Sequence, residues 1–550
     1  METNDINTQI NKENNIISNI EEIDLTTKYI CENIDKSIIV FCNPISGNQE
    51  GKKILNMMNN YISKENYRLI DYQYIQTGKT YEPFKVIAFE LINKEDNAKG
   101  QKLLKHVVDR CKINQEKNME EKFWKIRTLI AGGDGTVLSM VDSFVKNGTN
   151  IDFCIFGHVP LGTGNDLSNS LGFSDHIDLD EDNMDDLYLI FKKYYDAQFG
   201  KIDIWKIDLQ LDPNDGEILI NSREGKHPLK DENGNVIRRY IRSFINYISL
   251  GYDARVGYNF DRRRSDSRNM NKCIYFLEGL KKFFCRRTVT VNGFIESFTV
   301  YDSINNSVDQ DSFFSEINQE LGPNNLLNEN INNNTQENNN NNNIIMNNQP
   351  HKIKYQFFAS EKALKNQNIS DNNKCLVLKG KPCSIIFQNV LNYMSGIKDI
   401  WGQGKEHLSV KVKKDALPEI KKKYTNKLLE MANCQQKFDD KMLEVFTFDN
   451  GLETGLEKVF KGFAKKIYHG RGPMEVKFVA SDIYDKNDRK HRIYLNLDGE
   501  YFHIVKPILL TIELNREYSN GQLPFLILYF LYFIIFINLR KLLDTYFDLD

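Results

Sequence analysis

The stretch that most constrains the fold is residues 127–140, which reads Arg-Thr-Leu-Ile-Ala-Gly-Gly-Asp-Gly-Thr-Val-Leu-Ser-Met. Its apolar first part is typical of a buried strand, its glycines break that strand, and apolar residues then return at helical spacing. A strand, a glycine turn and a helix in this order aim free backbone N–H groups at the space over the helix start. The stretch therefore predicts a site for an anion such as phosphate.

A carboxylate lies within this glycine turn. Asp134 would repel a phosphate unless a divalent cation stood between them, so its presence suggests Mg²⁺ together with a nucleotide. The alternative interpretation is an ordinary β–α turn whose Asp caps the helix. The residues of this turn that we predict to bind nucleotide are Gly132, Gly133, Asp134, Gly135 and Thr136.

Further strand–turn–helix units flank this one. The sequence predicts strands over residues 37–42, 67–75 and around 153–156, and helices over 52–61, 84–93 and 100–111. Units of this kind predict an open α/β sheet whose polar turns gather at one edge. The other turn residues that we predict to bind nucleotide are Asn43, Ser46, Gly47, Thr77, Gly162, Thr163, Asn165 and Asp166.

The composition changes along the chain. We predict a leader without fixed order over residues 1–35, the α/β domain over 36–200 and a β-rich domain over 201–510. The Asn-rich residues 303–350 interrupt the β-rich domain and predict a disordered insertion. Residues 520–550 predict an apolar tail, shorter than the roughly 20 apolar residues of a spanning helix. The tail favours membrane contact, with a buried packing helix as the alternative.

Charge and cysteine content exclude several classes of protein. A formal net charge of -3 argues against a nucleic-acid binder with a broad basic face. The 9 cysteines include no Cys-x-x-Cys pair, which excludes zinc-finger modules and indicates a reducing, cytosolic environment. No Asp-rich calcium-binding loop is present in the sequence, so we expect no calcium-sensor module.

Blocks of residues in the order of the chain resemble the catalytic and accessory domains of eukaryotic diacylglycerol kinases. In the α/β part they are 43–47 (Asn-Pro-Ile-Ser-Gly), 132–136 (Gly-Gly-Asp-Gly-Thr) and 160–167 (Pro-Leu-Gly-Thr-Gly-Asn-Asp-Leu). In the β-rich part they are 246–254 (Asn-Tyr-Ile-Ser-Leu-Gly-Tyr-Asp-Ala), 271–279, 385–402, 439–445 and 497–500 (Leu-Asp-Gly-Glu). The resemblance spans roughly residues 37 to 505.

The resemblance implies a signalling kinase that uses ATP and Mg²⁺ to phosphorylate diacylglycerol, giving phosphatidic acid. It also implies a β-sandwich-like accessory domain, with the active site between the two domains. We expect Asp134, Asp166 and Asp203 to hold the metal directly or through water. The resemblance points to Asp440 as the general base, with Glu444 in support.

The choice between Asp439 and Asp440 as the base stays open. Many relatives have Gly where this chain has Lys441, and a side chain at that position could alter the turn.

The substrate implies a membrane partner, and we expect a cytoplasmic protein that is peripheral or tail-anchored. Lys281, Lys282, Arg286 and Arg287 would meet anionic lipids or form a solvated helix face. Three alternatives remain open: a related kinase of ceramide or sphingoid bases, an NAD-type kinase, and a catalytically silent membrane scaffold of the same fold.

Overall fold

The computed structural model describes residues 24–47, 49–74, 81–162, 164–173, 177, 179–222, 225–263, 265, 270–271, 273–274, 277–279, 290–301, 353–365, 375–394, 397–404, 410–412, 418–457, 460–479, 493–518 and 521–528. Within these ranges, no helix has the length and apolar character needed to cross a membrane.

Helices and strands are numbered here in chain order over the described residues. The helices are α1 (Leu25–Glu32), α2 (Glu50–Asn59), α3 (Lys94–Glu116), α4 (Asp134–Lys146), α5 (Asp166–Ser170), α6 (Met184–Tyr195), α7 (Tyr252–Asp261), α8 (Glu361–Lys365), α9 (Ile400–Gln403), α10 (Pro418–Asn433) and α11 (Gly451–Leu456). The strands as far as the middle of the chain are β1 (Ser37–Cys42), β2 (Arg68–Asp71), β3 (Lys85–Glu90), β4 (Ile126–Gly132), β5 (Cys154–Pro160), β6 (Gln198–Asp203), β7 (Trp205–Leu211), β8 (Glu217–Ser222), β9 (Gly225–Pro228), β10 (Arg239–Phe244), β11 (Tyr247–Gly251) and β12 (Ile295–Tyr301). The remaining strands are β13 (Ile353–Phe358), β14 (Cys375–Leu378), β15 (Ser384–Gln388), β16 (Asn392–Tyr393), β17 (Ile397–Lys398), β18 (Val410–Val412), β19 (Leu443–Phe448), β20 (Lys465–Gly470), β21 (Met474–Phe478), β22 (Ile493–Leu497), β23 (Glu500–Val505), β24 (Pro507–Leu514) and β25 (Gln522–Ile527).

The first sheet has the strand order β2-β3-β1-β4-β5-β25-β6 among the described residues. Its central strands β3, β1, β4, β5 and β25 run parallel, and β2 and β6 pair antiparallel at the two edges. β1 and β5 are buried along their whole length, as their unbroken apolar runs require in a sheet covered on both faces. In the sheet, β1 has β3 as its neighbour on one side and β4 on the other, so the direction in which successive strands are added reverses between β1 and β4. Ligands of open α/β sheets bind at such a reversal.

The structure corrects one predicted helix. Residues 85–90 form the buried strand β3 and not part of a helix over 84–93. A short apolar run suits a buried strand as well as a helix, and here the pairing of β3 with β1 decides.

Both ends of the α/β domain extend beyond the predicted boundaries. Residues 25–32, which the sequence placed in the leader, form α1, whose N-cap Asp24 accepts a hydrogen bond from the N–H of Thr27. Residues 522–527, which the sequence placed in the tail, form β25 between β5 and β6. Leu523, Phe525 and Leu526 are fully buried there, so the apolar character of this segment serves the sheet. Residues 1–23, the insertion 303–350 and residues 529–550 lie outside the described residues.

The β-rich part contains two larger sheets. One has the order β10-β7-β24-β21-β12-β13-β14-β18 and the other the order β20-β19-β15-β11-β22-β23-β8-β9, again among the described residues. Side chains of both sheets meet in one apolar core that includes Trp205 of β7, Phe298 of β12, Phe387 of β15 and Leu495 of β22. The two sheets therefore pack face to face through this core.

Asn389 joins the two parts of the chain. Its side-chain N–H₂ donates to the carbonyl oxygens of Asp203 at 2.9 Å and Ile245 at 2.6 Å, and its Oδ1 accepts from the indole N–H of Trp205 at 3.2 Å. Asn389 is fully buried, so these bonds are shielded from water. The end of β6 and the segment before β11 are therefore held together.

Candidate active site

The glycine turn after β4 leaves the start of α4 open. Gly132 ends β4, Gly133 is the N-cap of α4, and Asp134 is the first helical residue. Gly133 has no side chain, so no capping side chain occupies this helix end. The first-turn N–H groups and the positive end of the helix dipole suit an anion.

The turns after β1, β4 and β5 lie against one another. The N–H groups of Leu161 and Gly162 both donate to the carbonyl oxygen of Gly132, at 2.9 and 3.2 Å. A Cβ atom on Gly162 would lie 2.7 Å from Cα of Gly133, and one on Gly47 would lie 2.2 Å from the carbonyl oxygen of Leu161. Gly47 also has a φ of 64°, which L-residues with side chains rarely adopt. Glycine is therefore required where these turns touch.

The predicted residues of the first and third turns are mostly engaged within their own turns. Asn43 Oδ1 accepts the N–H of Ile45 at 3.2 Å, and the N–H of Ser46 donates to the Asn43 carbonyl oxygen at 3.3 Å. Asn165 has a φ of 56°, and its side chain bonds both the N–H and the carbonyl oxygen of Gly162. Thr77 and Thr163 lie outside the described residues.

Asp134 caps a helix other than its own. Its Oδ2 accepts the N–H of Asp166 at 2.9 Å, and its Oδ1 accepts the N–H of Leu167 at 3.3 Å, so it caps α5. Burial raises the pKa of Asp134 to about 6, opposed by these bonds and by a hydrogen bond from the Asn246 side chain. Asp134 thereby fixes the geometry between the second and third turns.

His158 supports this turn from beneath. Its Nε2 contacts the Gly132 carbonyl oxygen at 3.1 Å, and its Nδ1 lies 3.5 Å from Asp134 Oδ1. Burial lowers the pKa of His158 to about 4, so the ring is neutral near pH 7. These contacts give His158 a structural role beneath the turn.

Asp498 is a site residue that the sequence reasoning did not assign. Its carboxylate accepts the N–H groups of Ile245 at 2.7 Å, Asn246 at 2.8 Å and Tyr247 at 2.9 Å. Burial, with a smaller contribution from the nearby charge of Asp134, raises the pKa of Asp498 to about 7 against the effect of these three hydrogen bonds. The resemblance to diacylglycerol kinases included Leu-Asp-Gly-Glu at 497–500, which was the available signal.

Glu500 follows Asp498 and lies over the amino end of α4. Its Oε1 is 3.5 Å from the position that a Cβ on Gly135 would occupy. Arg242 holds both Glu500 oxygens with two hydrogen bonds of 2.7 and 2.8 Å, and Arg242 also donates to the hydroxyl of Tyr240. A bidentate pair of this kind fixes direction as well as distance.

The carboxylates fall into two groups. The turn group consists of Asp134, Asp166 and Asp498, and the hydroxyl of Tyr247 lies 3.5 Å from Asp166 Oδ2 within it. The Asp203 group consists of Asp203, Asp439, Asp440 and Glu444.

Lys441 fits the turn of the Asp203 group without a glycine. Its φ is 62°, in the left-handed region, and its N–H donates to Asp203 Oδ2 at 2.5 Å. Asp203 Oδ1 accepts from Gln522 at 2.7 Å. Burial raises the pKa of Asp203 to about 7, and the charges of Asp440 and Asp439 add to that rise.

Asp440 and Glu444 differ in exposure. Asp440 is half-buried and accepts the N–H of Met442 at 3.0 Å, and burial raises its pKa to about 6, whereas Asp439 is exposed. Glu444 is fully buried between His469 Nδ1 and Gln436 Nε2, each 3.0 Å from one of its oxygens. Burial raises the pKa of Glu444 well above its usual range, so it is a shielded neighbour and not an exposed base.

The predicted metal ligands are divided between the two groups. Asp134 and Asp166 are adjacent, whereas Asp203 belongs to the other group. Over the described ranges, no three His, Cys, Asp or Glu side chains are arranged to hold a metal ion by themselves. A cation at the turn group therefore needs ligands of another kind as well.

Two family models match successive parts of the chain. A model of the diacylglycerol kinase catalytic domain matches residues 37–190, and a model of the diacylglycerol kinase accessory domain matches residues 243–501. The first includes the three contacting turns, and the second includes Asp440 and Asp498.

Curated relatives match parts of the chain. Diacylglycerol kinase 3 of Arabidopsis thaliana is 29% identical over 196 residues, which cover 31% of this chain and 38% of the relative. Diacylglycerol kinase 7 of the same plant is 31% identical over 28% of this chain and 34% of its own length. Diacylglycerol kinase iota of Rattus norvegicus is 26% identical over 45% of this chain and 19% of its own length. The matches thus span less than two fifths of each relative.

Proposed function

This chain belongs to the diacylglycerol kinase family, and from that premise we propose that it transfers the γ-phosphoryl group of ATP to the free hydroxyl of diacylglycerol. The observation that carries the proposal is that the carboxylates of the turn group lie together at the amino end of α4, where no side chain caps the helix. Phosphoryl transfer requires positioned donors for the triphosphate and charge stabilisation, together with a base for the attacking alcohol. The three turns and their carboxylates supply groups of these kinds in one place.

Mg²⁺ fits the turn group by the chemistry of its donors. Asp134 and Asp498 offer carboxylate oxygens at neighbouring positions, and hard oxygen ligands are those that Mg²⁺ prefers. We propose that Asp134 holds the ion, with Asp166 acting directly or through water. Bound there, Mg²⁺ would neutralise charge on the triphosphate. Asp203 is less suited, because its hydrogen bonds lead to Lys441 and Gln522 in the other group.

We propose Asp498 as the base that accepts the hydroxyl proton. It lies beside Asp134, and the pKa of about 7 that burial gives it suits a general base near neutral pH. Asp440 remains the base predicted from the family resemblance. Asp440 accepts a hydrogen bond from the N–H of Met442, and its charge raises the pKa values of Asp203 and Glu444. These neighbours all lie outside the turn group.

The accessory domain completes the site from the other side. We infer a β-sandwich, supported by the core that its two eight-stranded sheets share. Glu500 and its partner Arg242 belong to this domain and meet α4 of the α/β domain. Closure of the two domains over ATP would exclude water from the transferred group.

We propose that the protein acts at a membrane surface as a peripheral protein, because its proposed substrate is a membrane lipid. Lys281, Lys282, Arg286 and Arg287, which we predicted to meet anionic lipids, lie outside the described residues, as does most of the predicted tail.

The test is a transfer assay on the purified full chain with radiolabelled ATP, Mg²⁺ and mixed micelles that contain diacylglycerol, ceramide or sphingosine. D134A is the loss-of-function variant. D208N is the matched control, because Asp208 of β7 pairs with Arg239 of β10, outside both carboxylate groups. Label in phosphatidic acid, lost in D134A and kept in D208N, supports the proposal. Label only in a sphingolipid would assign the chain to ceramide or sphingoid substrates, and lipid binding without any label would favour a silent scaffold.

A further inference from the structure

Asn246 bridges the two domains at the turn group. Its backbone N–H donates to Asp498 Oδ1 at 2.8 Å, and its carbonyl oxygen accepts the N–H of Asn389 at 2.9 Å. Its side chain hydrogen-bonds the carboxylate of Asp134 across the domain boundary. Asn246 is 2% exposed, so all of these contacts are withdrawn from solvent.

The side-chain oxygen of Asn246 has no hydrogen-bond partner. Oδ1 is buried, yet no protein donor reaches it. Because a carboxylate can only accept a hydrogen bond, the contact with Asp134 uses the N–H₂ end of the amide. Oδ1 belongs to the same planar group and therefore lies directly beside that carboxylate. A buried acceptor without a donor is costly and calls for an explanation.

The surroundings of Oδ1 favour a cation. The carboxylates of Asp134 and Asp498 contact Asn246 from two sides and make the local potential negative. A carboxamide oxygen is a good ligand for hard divalent cations, as are the carboxylate oxygens. Among the described residues, carboxylates alone do not complete a metal site here, and the amide oxygen adds a ligand of the same chemical class beside Asp134.

We propose that Asn246 Oδ1 is a ligand of the divalent cation at the turn group, which the accessory domain thereby supplies to a site built mainly by the α/β domain. This deepens the proposed function and rests on it for the identity of the cation. Asn246 would bind the ion through Oδ1 while its N–H groups hold Asp134 and Asp498 in place. Cation binding and the contact between the domains would then be coupled through one side chain.

The experiment uses Mn²⁺ as the probe and needs neither lipid nor turnover. Mn²⁺ binding to the full chain is measured by EPR titration with and without ADP, for the wild type, N246A, N246D and N221A. Asn221 is the matched control, because it is a buried Asn of the accessory part whose N–H₂ bonds the Tyr258 carbonyl oxygen, away from the site. Circular dichroism reports whether each variant is folded.

The expected result is that N246A weakens Mn²⁺ binding by about 10- to 100-fold. N246D, which keeps an oxygen at this position but loses the N–H₂ bond to Asp134, should bind more tightly than N246A, and N221A should be unchanged. Unchanged binding by folded N246A would overturn the proposal, as would equal loss of binding in N246A and N246D. A wild-type chain that binds no Mn²⁺ would also overturn it.

A second measurement does not depend on the folding of N246A. The wild-type chain is labelled with ¹³C at the asparagine Cγ, and ENDOR spectra of bound Mn²⁺ are recorded. A ¹³C coupling that disappears in N246D supports direct ligation, and its absence in the wild type would contradict it. Because no phosphoryl transfer is read in either experiment, failure of this inference and failure of the kinase proposal can be told apart.

Discussion

The carboxylate of Asp134 accepts the backbone N–H of Asp166, so the residue that opens one helix caps the next. Two of the Gly-rich turns are thereby locked together by a side chain that we also propose as a ligand of the cation. Removing the charge and removing the cap are consequently separable by substitution.

D134N keeps one acceptor oxygen and loses the charge, whereas D134A loses both. We expect D134N to lower kcat about 10²- to 10³-fold, the scale for loss of one preorganised electrostatic group. We expect D134A to be less stable than D134N by about 1 kcal/mol, the usual value of a helix cap. Micelle assays and urea unfolding measure the two effects. D134N with wild-type activity would contradict a role for the charge.

The left-handed backbone of Lys441 leads to a second prediction. A lysine at a φ of 62° carries strain that glycine avoids, so K441G should raise the free energy of unfolding by up to about 1 kcal/mol. K437G is the matched control, because Lys437 is an exposed lysine four positions upstream whose φ is not positive. It should be neutral or slightly destabilising, since glycine adds freedom to the unfolded chain. Urea unfolding compares the two, and a less stable K441G would show that the lysine side chain contributes more than the strain costs.

The raised pKa of Asp203 predicts that the free energy of unfolding depends on pH. Burial raises the pKa of Asp203 from its ordinary value of 3.8 to about 7, so the folded chain binds a proton more tightly than the unfolded chain. The contribution is fully present below pH 3.8 and is lost as the pH rises through 7, so stability should fall between these values.

D203N cannot titrate and should show a shallower decline, measured by urea unfolding between pH 4 and pH 8. Asp134, Asp440 and Asp498 shift in the same direction, so part of the decline should remain. D208N is the control and should retain the wild-type slope. A wild-type slope in D203N would show that Asp203 is not responsible.

Local patterns predicted much of the α/β domain. The strand over 37–42 and the turn around Asp134 agree with the structure, because a buried strand and a glycine turn are each determined by residues that are neighbours in the sequence. β3 was predicted as a helix because its short apolar run fits either element. β25 could not be predicted as part of the sheet, since its partners β5 and β6 lie far away in the chain.

The site shows the same division. The three turns and Asp166 follow from local sequence, whereas the role of Asp498 depends on backbone N–H groups in another segment. Nothing in Leu-Asp-Gly-Glu indicates which N–H groups will meet its carboxylate. That the buried Oδ1 of Asn246 has no hydrogen-bond partner can likewise be recognised only from the structure, in which the two domains are in contact.

Glu500 should matter more for activity than for stability. Its pair with Arg242 is partly exposed, with 43% and 34% of the two side chains accessible, and exposed pairs contribute about 0–1 kcal/mol. E500Q should nevertheless lower kcat about 10- to 100-fold by releasing a group fixed over the start of α4. E513Q breaks the comparable pair of Glu513 with Lys206 and is the control, with activity unchanged. Equal activities of E500Q and E513Q would place Glu500 outside the machinery.

The identity of the base can be decided between Asp498 and Asp440. A base must be ionised, so kcat/KM should rise with pH through a pKa near 7 if Asp498 acts and near 6 if Asp440 acts. Removing the base should lower kcat about 10²- to 10⁴-fold. D498N also disturbs three backbone hydrogen bonds, so its fold must be checked by thermal unfolding before its activity is compared with that of D440N. Folded D498N without activity, beside an active D440N with an unchanged acid limb, supports Asp498. The reverse pattern would restore Asp440, and the base would then have to reach the attacking hydroxyl of diacylglycerol from the Asp203 group.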